Sequence, residues 1–248
     1  MKFEVIAFDM DGTLTPSKSP LEKDVSELFS KLLREYKVSV ISGATLGQFE
    51  KQFLANLSAT PEQLKNLYLQ PTNGSVFCSF EEAWKCTSAY TFSDDEKKTI
   101  INAIDKMFVE TEYQKPEKIY GELIEDRDTQ ITFSALGQEA PLELKKGWDP
   151  DYGKRRPMAD VLSRLLPELS IHVGGSTSID ITRKGIDKAY GITELMKKLG
   201  VSKDKVLYVA DDMDASGNNA TVATLGVETR AVKGPEESKQ VITSLLSE

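Results

Sequence analysis

Two carboxylates spaced i and i+2 at the end of a short apolar run are the sharpest chemical signal in this sequence of 248 residues. They are Asp9 and Asp11, in Asp9-Met10-Asp11-Gly12-Thr13-Leu14-Thr15. Such a pair can divide nucleophile and proton-donor roles, while Gly12 lets the backbone turn sharply beside a bound anion. Paired aspartates after a strand can also do no more than make a turn. Two further polar groups follow apolar runs: Ser42 after Val38–Ile41, and Asp211, Asp212 and Asp214 after Val206–Val209. The only histidine, His172, sits in a strand-like alternation and reads as structural. Chemistry here must therefore run on carboxylates, lysine and hydroxyls.

The elements that must position these groups follow a regular grammar. Residues 3–8, a nearly continuous apolar run, read as a buried parallel strand. Leu21, Val25, Leu28, Phe29, Leu32 and Leu33 then recur at helical spacing, a second strand covers Val38–Ile41, and another helix starts near Thr45. The same order returns with a helix over 187–199, a strand at Val206–Val209 and a last strand near 226–232. In open parallel sheets ligands bind beyond the carboxyl ends of the strands, so Asp9, Ser42 and Asp211 are expected to converge. Between the halves, over 88–182, the grammar changes to a strand, a helix over 94–110, strands over 119–124 and 129–135, a Gly/Pro-rich loop with Trp148, a helix over 157–166 and a strand pair around Gly174-Gly175. That mixture predicts an α+β insertion.

Composition excludes several classes. Charged residues make up 28% and hydrophobic ones 40%, as in a soluble globular protein. A net charge of -8 argues against nucleic acid as a partner. The basic run Lys154-Arg155-Arg156 reads either as a solvated approach to a helix beginning at Pro157 or as an anion contact. Glu4 and Asp9 interrupt the first apolar run too early for a signal sequence, and no stretch approaches the roughly 20 apolar residues of a membrane span. Cys78 and Cys86 have no CxxC spacing and no histidine cluster, so neither a zinc site nor a disulfide framework is expected, and a cytoplasmic setting fits.

The Asp9–Thr13 block resembles the first motif, DxDGT, of the haloacid dehalogenase (HAD) superfamily of phosphohydrolases and phosphomutases. That resemblance implies Asp9 as nucleophile and Asp11 as acid and base. It assigns Ser42, with its neighbour Gly43, to phosphoryl binding. Of two candidate lysines, Lys184 and Lys188, the glycine-x-x-lysine pattern in Gly185-Ile186-Asp187-Lys188 selects Lys188. Asp211 aligns as a magnesium ligand, with Asp9 and Asp11; Ala210 replaces a usual glycine and Asn219 a usual aspartate, so Asp212 or Asp214 could supply further support. A calcium loop starting at Asp212 fails, because Ala223 stands where its bidentate glutamate belongs.

An insertion between the second and third motifs is the type II cap arrangement, and several segments resemble eukaryotic-type phosphomannomutase: Asp11–Pro16, Asn73-Gly74, Leu123–Arg127 and Gly174–Asp180. By that resemblance Arg127, Ser178 and Asp180 bind a sugar phosphate. Gln138 replaces a second cap arginine, and no arginine occurs in Leu142–Lys146, where a third would fall. A mutase must hold a second phosphate, for which bidentate arginine is suited, so these losses favour a phosphatase unless Lys145, Lys146, Arg155 or Arg156 compensates.

The expectation is thus an α/β, doubly wound parallel sheet, the HAD-like core, at 1–80 and 183–248, with an inserted α+β cap at 81–182. Its substrate would be a small phosphate ester, with magnesium as cofactor. The alternatives are a sugar phosphomutase and a catalytically silent sugar-phosphate-binding protein.

Overall fold

The computed structural model describes residues 2–17, 19–211, 213 and 219–247. In chain order the elements of the first unit are β1 (Val5–Asp9), α1 (Lys23–Glu35), β2 (Lys37–Ile41), α2 (Leu46–Gln52), α3 (Pro61–Leu64), β3 (Leu67–Gln70), β4 (Val76–Phe80) and β5 (Trp84–Ser88). The second unit holds α4 (Asp94–Glu110), β6 (Ile124–Asp126), β7 (Ile131–Ser134), α5 (Leu142–Trp148), α6 (Arg155–Leu165), β8 (Leu169–Gly174) and β9 (Ser178–Arg183). The chain then returns to the first unit through α7 (Lys188–Leu199), β10 (Val206–Ala210), α8 (Ala220–Ala223), β11 (Glu228–Ala231) and α9 (Pro235–Leu245).

The units are Met1–Ser88 with Asp187–Glu248, and Ala89–Ile186. The second unit begins at 89 and not at the expected 81, because β5 pairs along its whole length with β4 and so belongs to the first sheet; it ends at 186 and not at 182. That sheet has the order β11-β10-β1-β2-β3-β4-β5. The first five strands are parallel, as expected, but β4 and β5 add an antiparallel hairpin at one edge. Strand order reverses beside β1, so Asp9 on β1 and Asp211 after β10 flank the crevice where such sheets bind ligands.

Period-two alternation explains the two layers of helices. Ile6, Phe8, Val38, Val40, Leu207 and Val209 pack with Phe29, Leu32 and Leu33 of α1 and Val241, Ile242 and Leu245 of α9. Val5, Ala7, Ile41, Val206 and Tyr208 face the other way, against Ile192 and Leu195 of α7 and Val222 of α8. Each strand is thus buried on both faces, which is why it reads as a continuous apolar run.

The cysteine expectation does not hold. Register in the β4–β5 hairpin sets Cys78 directly opposite Cys86, and the two form a disulfide across a sequence separation of 8. Motif spacing carries no information about hairpin register, and so the pairing was missed.

The second unit is a four-stranded antiparallel sheet, β6-β7-β9-β8. Ile131, Phe133, Ile179 and Ile181 cover one face and pack on Ile100, Ile104 and Met107 of α4 and Met158 and Leu162 of α6. Helix α4 begins with a capping box between Ser93 and Glu96, and its first turn adds Asp94 and Asp95. The segment around Trp148, read from sequence as a loop, contains the short helix α5. Arg155 is neither of the things its basic run suggested. It opens α6 two residues before Pro157 and is 1% exposed. Its guanidinium binds Asp149 at 2.7 Å and donates to the carbonyls of Gly174 at 2.9 Å and Gly175 at 2.8 Å. Burial pushes the Asp149 carboxyl up, but hydrogen bonds from the Lys154 amide and from the Arg155 side chain and amide outweigh it and hold Asp149 below its ordinary value.

Candidate active site

After Asp9 the chain folds tightly on itself: the amides of Leu14 and Thr15 donate to the Met10 carbonyl at 3.0 and 3.1 Å, and that of Gly12 to Thr15 at 2.7 Å. Ser238 of α9, fully buried, ties this loop down by donating to the Thr13 carbonyl at 2.8 Å. Gly12 has φ +82°, and a Cβ there would lie 2.0 Å from Asp211 Oδ2. The missing side chain is what brings Asp211 against the loop that carries Asp9 and Asp11.

Asp9 is nearly buried. Its Oδ1 accepts from the Met10 amide at 2.8 Å and pairs with Lys188 Nζ at 2.8 Å. Its Oδ2 accepts from Asn219 Nδ2 at 3.1 Å. Ser42, at the end of β2, donates to Asp11 Oδ2 at 3.2 Å and accepts from the Ala44 amide at 3.1 Å; Gly43 lies between them in the same loop. Lys188 begins α7, whose N-terminus is capped by Asp187 through the Tyr190 amide at 2.9 Å. Lys184 belongs to the second unit and is exposed, with its ammonium on the Pro167 carbonyl. Asp212 and Asp214 lie outside the described residues.

A crossing of two glycines lets α7 deliver Lys188. A Cβ on Gly74 would lie 2.5 Å from Gly191 Cα, and one on Gly191 would lie 2.5 Å from Ile41 Cδ1. Buried Gln70, held by Ser39 at 3.0 Å, donates to the Gly191 carbonyl at 2.6 Å and fixes the approach. Sequence reasoning missed Gln70, Gly191 and Ser238. A polar residue at the end of an apolar strand was the available signal for Gln70.

Asn219 joins the cluster together. Its Oδ1 accepts from Lys188 Nζ at 2.8 Å and from the Tyr208 hydroxyl at 2.5 Å, while Nδ2 reaches Asp9 and, at 3.4 Å, Asp211 Oδ1. Burial, with the Asp9 and Asp211 carboxylates nearby, pushes the Tyr208 phenol well above its ordinary value, so it remains a donor.

The chemistry of this donor set suits magnesium, a hard cation that takes oxygen ligands from few protein groups. Asp211 is pressed against Gly12 and shares the Asn219 amide nitrogen with Asp9, which brings two carboxylates to one donor. Among the described residues, the acidic trio Glu22, Asp24 and Glu236 is exposed, and Lys239 pairs with two of its members.

In the second unit the sheet face opposite its helices is polar. Thr132 donates to Asp180 Oδ1 at 2.9 Å, and the hydroxyls of Ser134 and Ser178 are 2.8 Å apart. Arg127, just after β6, forks onto Glu125 at 2.9 and 2.5 Å.

A doubly wound sheet thus sets a buried carboxylate, a lysine and a hydroxyl beyond its strand ends, where open α/β sheets bind their ligands. The chain belongs to the haloacid dehalogenase-like hydrolases, whose family model matches residues 6–214. It is 21% identical to the phosphomannomutase of Saccharomyces cerevisiae over 98% of this chain and 94% of that protein. In fold it is similar to a Plasmodium falciparum IMP-nucleotidase, with TM-score 0.76 and 16% identity over 99% of this chain and 68% of that one. It is also similar to Aspergillus fumigatus trehalose-6-phosphate phosphatase, with TM-score 0.56 and 14% identity over 100% of this chain and 94% of that one. The chain is an enzyme acting on phosphate esters.

Proposed function

We propose that the enzyme is a magnesium-dependent phosphatase of a small phosphate monoester, a sugar phosphate. An Asp9 carboxylate oxygen attacks phosphorus in line, the bond to the leaving oxygen breaks, and an aspartyl phosphate forms. Asp11, entering protonated, gives its proton to the leaving alkoxide and then takes one from water as that water attacks phosphorus. Asp9 is thereby regenerated and inorganic phosphate leaves. Ser42 and Lys188 hold the phosphoryl oxygens, and Lys188 also offsets the charge of Asp9. Magnesium bound by Asp9, the Asp11 carbonyl and Asp211 would neutralise charge between the anionic nucleophile and the anionic phosphate.

Phosphatase is favoured over phosphomutase by what two of the four spare cap cations, Arg155 and Lys145, do; Lys146 and Arg156 are exposed. Arg155 is committed to Asp149 and two carbonyls, and Lys145, 4% exposed, donates to the Gln138 carbonyl at 2.9 Å. Neither replaces the missing arginines as a holder of a second phosphate. Arg127, Ser178 and Asp180 read the sugar. No helix among the described residues is long and apolar enough to cross a membrane. A cytoplasmic setting, with no nucleic-acid partner, completes the proposal.

The deciding experiment offers a panel of sugar phosphates with magnesium, measuring released phosphate and, in parallel, bisphosphate-primed isomerisation. Phosphate release without isomerisation is expected. Isomerisation as the faster reaction would make the mutase the function.

A further inference from the structure

Asn219 uses every hydrogen-bonding position of its amide. Two donors, Lys188 Nζ and the Tyr208 hydroxyl, converge on its oxygen, and its nitrogen faces one oxygen each of Asp9 and Asp211. Reversing the amide would set its oxygen against two carboxylates and its nitrogen against an ammonium and a phenol. Only one orientation therefore satisfies the network. Tyr208 and Lys188 are almost wholly buried, as is Asn219 at 1%, so water cannot substitute for a lost partner without rearrangement.

We propose that Asn219, locked by Tyr208, is a neutral clamp that sets the spacing of Asp9 and Asp211 before any cation binds. An aspartate of the same shape would place a third anionic oxygen against both carboxylates. That site would hold together only when a cation offset the repulsion. With asparagine, the metal-free site is already arranged, at the expense of one unit of negative charge that would otherwise attract the cation. Tyr208 acts through Asn219 and is a positioning residue. Nothing in an otherwise apolar strand singles it out from sequence.

The inference rests on the Asp9 site proposed above, but its test does not depend on turnover. Thermal melting of the whole protein in excess chelator, and calorimetric titration with Mg2+ alone, would compare the unaltered protein with Asn219→Asp and Tyr208→Phe. Asn219→Asp should melt several degrees lower in chelator and gain more from Mg2+ than the unaltered protein does. Tyr208→Phe, which removes one hydroxyl and leaves the packing, should bind Mg2+ about tenfold more weakly. In a turnover assay on an aryl phosphate it should lower kcat about tenfold with KM little changed. Equal chelator melts and equal Mg2+ responses for Asn219→Asp, or unaltered Mg2+ affinity and kcat for Tyr208→Phe, would overturn the clamp. Failure to hydrolyse any phosphate ester would instead remove the phosphatase reading and leave the melting and calorimetric comparison standing.

Discussion

Gly12→Ala is a small change aimed at the approach between two loops. The new Cβ would stand 2.0 Å from Asp211 Oδ2 and 2.8 Å from its Cγ. Carbon and oxygen ordinarily approach to about 3.3 Å, so Asp211 must retreat by more than about 1 Å. Magnesium tolerates deviations of only about 0.2 Å in ligand distance, so that carboxylate would leave the metal. A displacement of that size is worth about a hundredfold in rate. The positive φ adds a backbone cost of about 1–2 kcal/mol, which for a domain of this size lowers Tm by about 2–8 °C. Circular dichroism melts and steady-state rates across a magnesium titration separate the two effects. Expected are a folded protein, a Tm lowered within that range, a kcat down about hundredfold and a higher magnesium requirement. Normal kcat with unchanged magnesium dependence would show that Asp211 does not serve the site from where it packs.

Asp9→Asn should abolish turnover in a protein that still folds, but with a lowered Tm, because the new amide nitrogen must face either Lys188 and the Met10 amide or Asn219, all of them donors; residual normal activity would remove Asp9 from the chemistry. Chelation should stop the enzyme, magnesium should restore it and calcium should not, because its looser, higher coordination misplaces the nucleophile. Arg155→Ala leaves Asp149 buried and unpaired and should cost the second unit about 3–5 kcal/mol, read from denaturant unfolding. Because Asp149 is held below its ordinary value when folded, its contribution is present above the unfolded carboxylate value and lost as pH falls through the native one. An acid limb of unfolding that Asp149→Asn leaves unchanged would refute that assignment. Arg127→Ala or Asp180→Ala should raise KM for sugar phosphates about ten- to hundredfold, from a charge-assisted bond of about 1.5–3 kcal/mol, and leave an aryl phosphate nearly unaffected. Equal losses for both substrates would make these residues supports of the fold.

Local pattern was enough to place Asp9, Asp11, Ser42, Asp211 and Lys188 at the ends of strands or the start of a helix, because apolar runs and turn residues mark such ends directly. The structure has them at those ends. What local pattern does not carry is the approach of distant segments. Gln70 reaches Gly191 across 121 residues, and Asn219 reaches Asp9 across 210. Arg155 looked solvated because its neighbours Lys154 and Arg156 are charged, yet its environment is set by carbonyls of the β8–β9 turn. The disulfide was hidden for a related reason, since register between β4 and β5 pairs the cysteines and cysteine spacing alone does not.

The central claim is a phosphoryl group carried covalently by Asp9. Rapid acid quench of the enzyme during turnover of a sugar phosphate, followed by peptide mass spectrometry, measures it directly. The peptide containing Asp9 should gain the mass of one phosphoryl group at early times and lose it when substrate is exhausted, and Asp9→Asn should never acquire it. Phosphate release from an enzyme whose Asp9 peptide stays unmodified throughout, or a phosphoryl group on another residue, would contradict the account.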